Sequence, residues 1–370
     1  MPLPDIPRSR LTGWFARMIA SRRFQKWATR SMFTRGVVRR EGAALFNLLS
    51  GFCQSQVLMA LVQLDILRIV LDRPLSAEVL AQRCNVPADR MVILLRAAVA
   101  LKLLKARRDG KFGPTRRGAA LVGVPGLAAM IRHHDVFYRD LADPAAFFRG
   151  ETATELAHFW PYVFGGAMQP EVAATYSDLM AQSLVLVAED SLCQVDLGGV
   201  KTLLDIGGGS GAFIEIVGQA YPKIEMVLFD LEEVAPAALA RFDRAGIGDR
   251  TRIACGSFKT DSIPQGADAI SLVRVLYDHD DRTVANLLVK CFNALPHGGR
   301  LIITEPMLGG DVPDPAGDVY FALYTLAMQT GKTRSVMEIS ALCVAAGFDI
   351  VAAPEAFRPF VTRCVEFRKG

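Results

Sequence analysis

The chain lacks the marks of several protein classes. Its seven cysteines are scattered, odd in number and without Cys-x-x-Cys spacing. That argues against a disulfide framework or a structural zinc site and for a reducing compartment. The five histidines form no metal-ligand set, so no metal is expected. No uninterrupted apolar run reaches the length of a membrane span. Residues 44–71 come nearest, but Asn47, Gln54, Gln56, Gln63, Asp65 and Arg68 interrupt them, so helices buried in protein are expected there. No signal-peptide apolar stretch follows the N-terminus, and the expected location is cytoplasmic. Acid is nearly missing from residues 1–40, which hold ten Lys/Arg and only Asp5, while the remainder holds 32 basic and 37 acidic residues. Trp14, Phe15, Met18, Ile19, Phe24, Trp27 and Phe33 interleave with that basic charge. Such a segment suits peripheral contact with an anionic inner-membrane surface, or a helical arm packed on its own domain or a second subunit. Both readings stay open.

What is present is a glycine turn. Leu203-Leu204-Asp205-Ile206-Gly207-Gly208-Gly209-Ser210-Gly211 reads as a strand ending near an acid, followed at once by a tight reversal into a helix. A second strand, Met226-Val227-Leu228-Phe229, ends in Asp230. Glycines let a ligand approach the backbone, and a helix start offers it free N–H groups. An acid at the second strand end suits the hydroxyls of a ribose. Gly207, Gly209 and Ala212 satisfy a dinucleotide fingerprint, and Gly207, Gly209 and Gly211 behind Asp205 equally satisfy an S-adenosylmethionine pattern.

The order of the remaining parts separates these. About two hundred residues precede the turn, whereas a dehydrogenase usually places it near the start of its nucleotide domain. Behind the turn, strands are predicted at 252–256, 267–275, 299–305, 348–353 and 360–367, and helices at 282–294 and 335–346. The last two strands are joined by only Pro354-Glu355-Ala356-Phe357-Arg358-Pro359, so they form an antiparallel hairpin rather than a parallel pair. The expected class is α/β, a Rossmann-like seven-stranded sheet closed by that hairpin. Upstream, residues 42–104 read as helices. Ser76 caps a helix over 77–84, a second helix runs from about 88 to 104, and a hairpin surrounds Asp109-Gly110. Helix-turn-helix with a basic wing also outlines a DNA-binding regulator. However, the apolar residues Leu45, Phe46, Leu48, Leu49, Phe52, Val57, Leu58, Leu61 and Val62 exceed a small core and suit a partner subunit. The expected segments are a basic arm (1–40), a winged-helix dimerisation domain (41–125), a helical substrate region (126–195) and a cofactor domain (196–370). Tyr176, Met180 and Ser183 recur at helical spacing shortly before the turn, the first two as candidates for substrate and the third for cofactor. His133 and His134, adjacent on a predicted helix, do not share one face; either suits the lining of a pocket, and such residues are more often solvated or locally hydrogen-bonded.

In this order the chain resembles the small-molecule O-methyltransferases that carry an N-terminal winged-helix dimerisation domain. The resemblance covers roughly residues 40–370. It is carried by Leu204 to Gly211, by Leu228-Phe229-Asp230-Leu231 and by Gly298-Gly299-Arg300-Leu301-Ile302-Ile303-Thr304-Glu305-Pro306. Ser271 to Asp281 and Tyr320 to Met328 look like the carotenoid branch of the family. The resemblance implies a class I methyltransferase fold, a homodimer, S-adenosylmethionine as cofactor and no nucleic-acid partner. The implied acceptor is lipophilic, the tertiary hydroxyl of an acyclic carotenoid. Carbon methylation of a bacteriochlorophyll-type tetrapyrrole is the enzyme alternative. The family's cofactor roles fall on Asp205, Gly207, Gly209, Gly211, Asp230 and Leu231, with Ser257, Phe258 and Arg274 nearby. Its catalytic histidine position holds Tyr277, its tryptophan position holds His279, and Glu305 falls on an acid that orients the base. Two readings of the base follow. His279 takes the proton, oriented by Asp278 or Glu305, since imidazole titrates near neutrality. Alternatively Tyr277 binds or relays the proton and His279 packs on the cofactor.

Overall fold

The computed structural model describes the backbone of residues 10–159 and 170–370 and the side chains of residues 13–157 and 181–370. The chain divides into two compact units, Met1–Gly118 and Ala119–Gly370.

The first unit opens with helices Arg10–Ala20 and Arg22–Arg30, the latter capped by Ser21, whose hydroxyl accepts from the Phe24 N–H. Helix Arg35–Gln63 follows. By length and composition it could cross a membrane. Its C-terminal part is buried through Met59, Leu61 and Val62, whereas Leu45, Phe46, Leu48, Leu49 and Phe52 are exposed. The expectation of burial in protein thus holds within this chain for only the end of the helix. Ser76 caps helix Ala77–Cys84 through the Val79 N–H, and Asn85 ends it in the left-handed conformation. Helix Ala88–Ala100 packs beside it, and strands β1 (Leu75–Ser76), β2 (Leu104–Ala106) and β3 (Lys111–Pro114) form a small antiparallel sheet in the order β1-β3-β2.

The second unit is built on a seven-stranded sheet of order β11-β12-β8-β7-β4-β5-β6. Its strands are β4 (Thr202–Ile206), β5 (Glu225–Asp230), β6 (Thr251–Cys255), β7 (Ala269–Val273), β8 (Arg300–Glu305), β11 (Phe348–Ala352) and β12 (Arg363–Lys369). Two short strands, β9 (Met307–Leu308) and β10 (Arg334–Ser335), pair separately in parallel. β12 runs antiparallel to both β8 and β11, while β4 through β8 pair in parallel. The predicted hairpin is therefore present, with β12 inserted between β11 and β8.

The central strands are apolar on both faces, as a covered parallel sheet requires. Leu203, Leu204 and Ile206 of β4 and Ala269, Ile270 and Leu272 of β7 are wholly buried. Each large side chain among them contributes about 1.5–3 kcal/mol by leaving water. From β4 the chain moves outward to β5 and β6, then returns to β7 on the other side of β4. The order reverses between β4 and β7, and open sheets bind ligands at the carboxyl ends of strands at such a point.

Candidate active site

The turn leaving β4 lies at that reversal. Gly209 has φ of 57° and nothing within 4 Å of where a Cβ would stand, so a ligand can reach its backbone. A Cβ on Gly208 would collide with Oδ2 of Asp205, which fixes that acid tightly under the turn. The Asp205 carboxyl is fully buried. Its Oδ1 accepts from the Ser271 hydroxyl at 2.6 Å, and its Oδ2 has no hydrogen-bond partner. Burial pushes its pKa up to about 7, the Asp230 charge adds to the rise, and the Ser271 hydrogen bond opposes both.

Asp230 ties the end of β5 to the same turn. Its Oδ2 accepts from the Gly209 N–H and its Oδ1 from the Leu231 N–H, both at 2.7 Å. Burial raises its pKa against those two bonds. A carboxylate oxygen has two lone pairs, so each retains capacity for a further donor such as a ribose hydroxyl. Beyond β6, Ser257 closes a turn in which its N–H donates to Asp261 and its hydroxyl accepts from the Lys259 N–H. Phe258 presents its ring to His279, edge-on at 5.2 Å between centroids.

The segment after β7 begins with strain. Arg274 has φ of 58°, an unusual value for a side-chain-bearing residue. Its N–H is held by the Thr304 carbonyl, and its Nη1 donates to the Ser183 hydroxyl at 2.7 Å. Its side chain also hydrogen-bonds Tyr277. The following 3-10 turn, Leu276–Asp278, is suspended from Glu305. Glu305 Oε1 accepts from the N–H groups of Val275 and Leu276 at 2.8 and 2.7 Å, and Oε2 from that of Tyr277 at 3.4 Å. The bonds from Glu305 thus serve the backbone of the turn. Burial lifts its pKa to about 7 in spite of them. Arg334, only 2 % exposed, holds the same turn from the other side. It donates to the carbonyls of Leu276 and His279 and pairs with Asp281.

Tyr277 and His279 have separate surroundings. His279 packs with Phe258, and its pKa falls to about 4, first through burial and then through the Lys259 charge. Tyr277 lies in a cluster with Phe137, Phe147, Leu156, Tyr324, Ala327 and Met328. Burial, then the Asp278 charge, raises its pKa well above the ordinary phenol value, with Arg274 opposing. The Asp278 charge acts on Tyr277 and Tyr324, the neighbours on that side.

Sequence reasoning missed several of these groups. Ser271 orients Asp205, but a serine within an apolar strand gives no signal of that role. Arg334 carried none either, because its partners lie more than 50 residues away. His133 and His134 are half-buried and reach distant partners rather than solvent. His133 Nε2 lies 3.0 Å from Tyr324 Oη and His134 Nε2 lies 2.7 Å from Tyr320 Oη. The side chains of Tyr176 and Met180 lie outside the described residues. Among the described residues, no cluster of three or more metal-ligating side chains occurs.

The reversed β12, the glycine turn and the two strand-end acids define the class as a class I, S-adenosylmethionine-dependent methyltransferase. Comparison with known proteins places the chain within it. Residues 138–349 match the O-methyltransferase domain and residues 46–123 the O-methyltransferase dimerisation domain. The chain belongs to the O-methyltransferase family. It is 52 % identical over 351 residues to demethylspheroidene O-methyltransferase of Cereibacter sphaeroides, covering 94 % of this chain and 93 % of that protein. The Rhodobacter capsulatus protein of the same name is 49 % identical over 359 residues, covering 96 % and 90 %. The crystal structure of LaPhzM superposes with a TM-score of 0.72 at 27 % identity, over 89 % of this chain and 99 % of that one. Human N-acetylserotonin methyltransferase, solved with S-adenosylmethionine, shares the fold at a TM-score of 0.73 and 24 % identity, over 89 % and 98 %. The protein is therefore an O-methyltransferase that uses S-adenosylmethionine. The winged-helix unit carries the dimerisation domain, and the DNA-binding regulator alternative gives way to it.

The residues present fit that cofactor. It brings a sulfonium and an ammonium, and Asp205 offers a buried carboxyl with an unpartnered oxygen. The open backbone at Gly209 lies beside it.

Proposed function

We propose that the enzyme methylates the tertiary hydroxyl of an acyclic carotenoid such as demethylspheroidene. The observation that carries this reading is the apolar setting of Tyr277, among Phe137, Phe147, Leu156, Tyr324 and Met328. That wall suits a long hydrocarbon with one polar end. The high identity to the two demethylspheroidene enzymes supports it.

When bound, S-adenosylmethionine supplies a methyl group on a sulfonium, open to in-line attack by an oxygen. The chain's own task is placement, which lowers such a barrier by several kcal/mol when reactants are well oriented. Asp205 with Gly207, Gly209 and Gly211 would hold the cationic amino-acid end, and Asp230 would take the ribose hydroxyls. Leu231, Ser257, Phe258 and His279 would border the adenine, and the Ser183–Arg274 pair would contact the bound cofactor. His279 serves as a packing surface beside Phe258. Tyr277 stays a neutral phenol and offers its hydroxyl to the acceptor oxygen, oriented by Arg274. Glu305 and Arg334 fix the turn that carries both residues. Purified enzyme with methyl-labelled S-adenosylmethionine and demethylspheroidene in detergent tests the reading. The methoxy product identified by mass is expected. Cofactor binding without product would remove the carotenoid assignment.

The basic arm supports peripheral contact with an anionic membrane, where such a substrate resides. Trp14, Phe15, Ile19, Trp27, Met32 and Phe33 are all exposed beside Arg22, Arg23, Lys26 and Arg30. Aromatic and basic residues together suit the headgroup boundary. Deleting residues 1–35 should abolish sedimentation with anionic vesicles and leave cofactor affinity unchanged. Undiminished vesicle binding by the truncated protein would refute the contact.

A further inference from the structure

The resemblance puts Tyr277 where the family's catalytic histidine stands. A buried phenol whose pKa is raised keeps its proton at neutral pH and needs a base behind it. Tyr324, in the same apolar cluster, has an imidazole behind it. Helix Leu127–Asp140 presents two imidazoles to two phenols one turn apart, His133 to Tyr324 and His134 to Tyr320. The two tyrosine rings stack, 6.1 Å apart and 23° from parallel. Tyr320 belongs to a π-helical segment, Pro315–Phe321, that leads into helix Ala322–Met328 with Tyr324. Such segments are rare and occur frequently at functional sites.

The two pairs are not equivalent. Tyr324 packs in the same cluster as Tyr277, and the charges of Tyr277, Asp278 and Arg274 all act on it. Burial keeps His133 neutral at pH 7, with its pKa lowered to about 4. A neutral imidazole has one unprotonated ring nitrogen.

We infer that Tyr324 and His133 form the proton path of the methyl transfer, with Tyr324 touching the acceptor hydroxyl and His133 positioned behind it. This rests on the reading that the acceptor is an alcohol. As the oxygen–methyl bond forms and the sulfur–methyl bond breaks, the acceptor proton passes to Tyr324 Oη. The Tyr324 proton moves to His133 Nε2. The sulfonium charge is lost with the methyl group, and one positive charge appears on the imidazole, which later releases its proton to water. His134 and Tyr320 provide a parallel pair that fastens the helices without carrying the proton.

A purely structural role for the pair predicts something different, and glutamine distinguishes the two. His133→Gln can hydrogen-bond Tyr324 but cannot accept a proton. With demethylspheroidene as probe, kcat should fall about 10²-fold, the usual contribution of a positioned base. KM and S-adenosylmethionine affinity by calorimetry should stay within about twofold, and the thermal midpoint within about 2 °C, at the scale of surface substitutions. Tyr324→Phe should lose a similar factor, and the double variant should be no slower than the slower single one, since members of one path do not add. His134→Gln should remain within about threefold of the wild type in kcat, the scale of a lost structural hydrogen bond. Independently of any substrate, ¹⁵N imidazole shifts should show His133 protonated at Nδ1 and bare at Nε2. A protonated Nε2 would overturn the path whatever the acceptor is. So would a His133→Gln enzyme with near-normal kcat, or additive losses in the double variant. If the wild type leaves demethylspheroidene unmethylated, the carotenoid reading fails and the NMR result alone decides on His133.

Discussion

Lowering the pH from 8 to 6 should weaken S-adenosylmethionine binding, and Asp205 supplies the reason. Its carboxyl is held at about 7 by burial, well above the ordinary carboxylate value of about 3.9. The unliganded protein therefore keeps the proton on this group through mildly acidic pH. A cationic ligand beside the unpartnered Oδ2 favours the charged form, so binding expels the proton and becomes harder as protons become abundant. With a pKa near 7, ionisation falls from about nine-tenths at pH 8 to about one-tenth at pH 6, and the Kd should rise about tenfold. Stability has its own sign. A carboxyl raised on folding binds more protons in the folded than in the unfolded state between about pH 4 and 7. The unliganded protein thus loses stability as pH rises through that window, by up to roughly 4 kcal/mol for Asp205. Glu305 acts in the same direction, so the pH–stability curve does not isolate one acid. Asp205→Asn does. It should bind cofactor about 10–100-fold more weakly, the loss of a charged hydrogen bond, and with a flatter pH dependence. The assay is isothermal calorimetry at both pH values, repeated in buffers of different ionisation enthalpy to count released protons. A wild-type Kd constant within twofold, or an Asn variant that keeps the full pH dependence, would refute the reasoning.

Arg334→Met should cost about 3 kcal/mol, because it leaves the Leu276 and His279 carbonyls without their donor, and a shifted urea midpoint would report it. His279→Phe should keep kcat within about threefold if the ring only packs beside Phe258, whereas removal of a true base costs about 10²-fold or more. Leu49→Glu with Phe52→Glu should turn the dimer into a monomer in sedimentation velocity, since both side chains are exposed on the helix that enters the dimerisation domain.

Local chemistry was legible and distant pairing was not. Strands β4 and β5 announced themselves through apolar runs ending at or beside acids, and the link predicted at 354–359 implied the reversal of β12, although the structure lengthens that link to residues 353–362. Ser76 marked its helix because capping acts within three residues. The left-handed backbone of Arg274 left no comparable trace. Glycine normally occupies such a position, and an arginine there is tolerated only because Thr304, Ser183 and Tyr277 hold it. Helix Arg35–Gln63 misled for another reason. Composition reports that an apolar face will be covered, but not whether by the same chain, a second copy or lipid. His133 and His134 misled through the helix wheel itself. Adjacent residues point about 100° apart, yet one facing segment meets both when its own side chains span that angle. Tyr320 on the π-helical segment and Tyr324 on the helix after it stand a turn apart, so each imidazole meets its own partner. The pairing spans 186 and 191 residues of sequence, and only the packing of helix 127–140 against 322–328 makes it visible. Polar groups embedded in an apolar cluster must be satisfied by one another. That requirement turns two isolated histidines and two isolated tyrosines into one arrangement, with Tyr324 packed beside Tyr277.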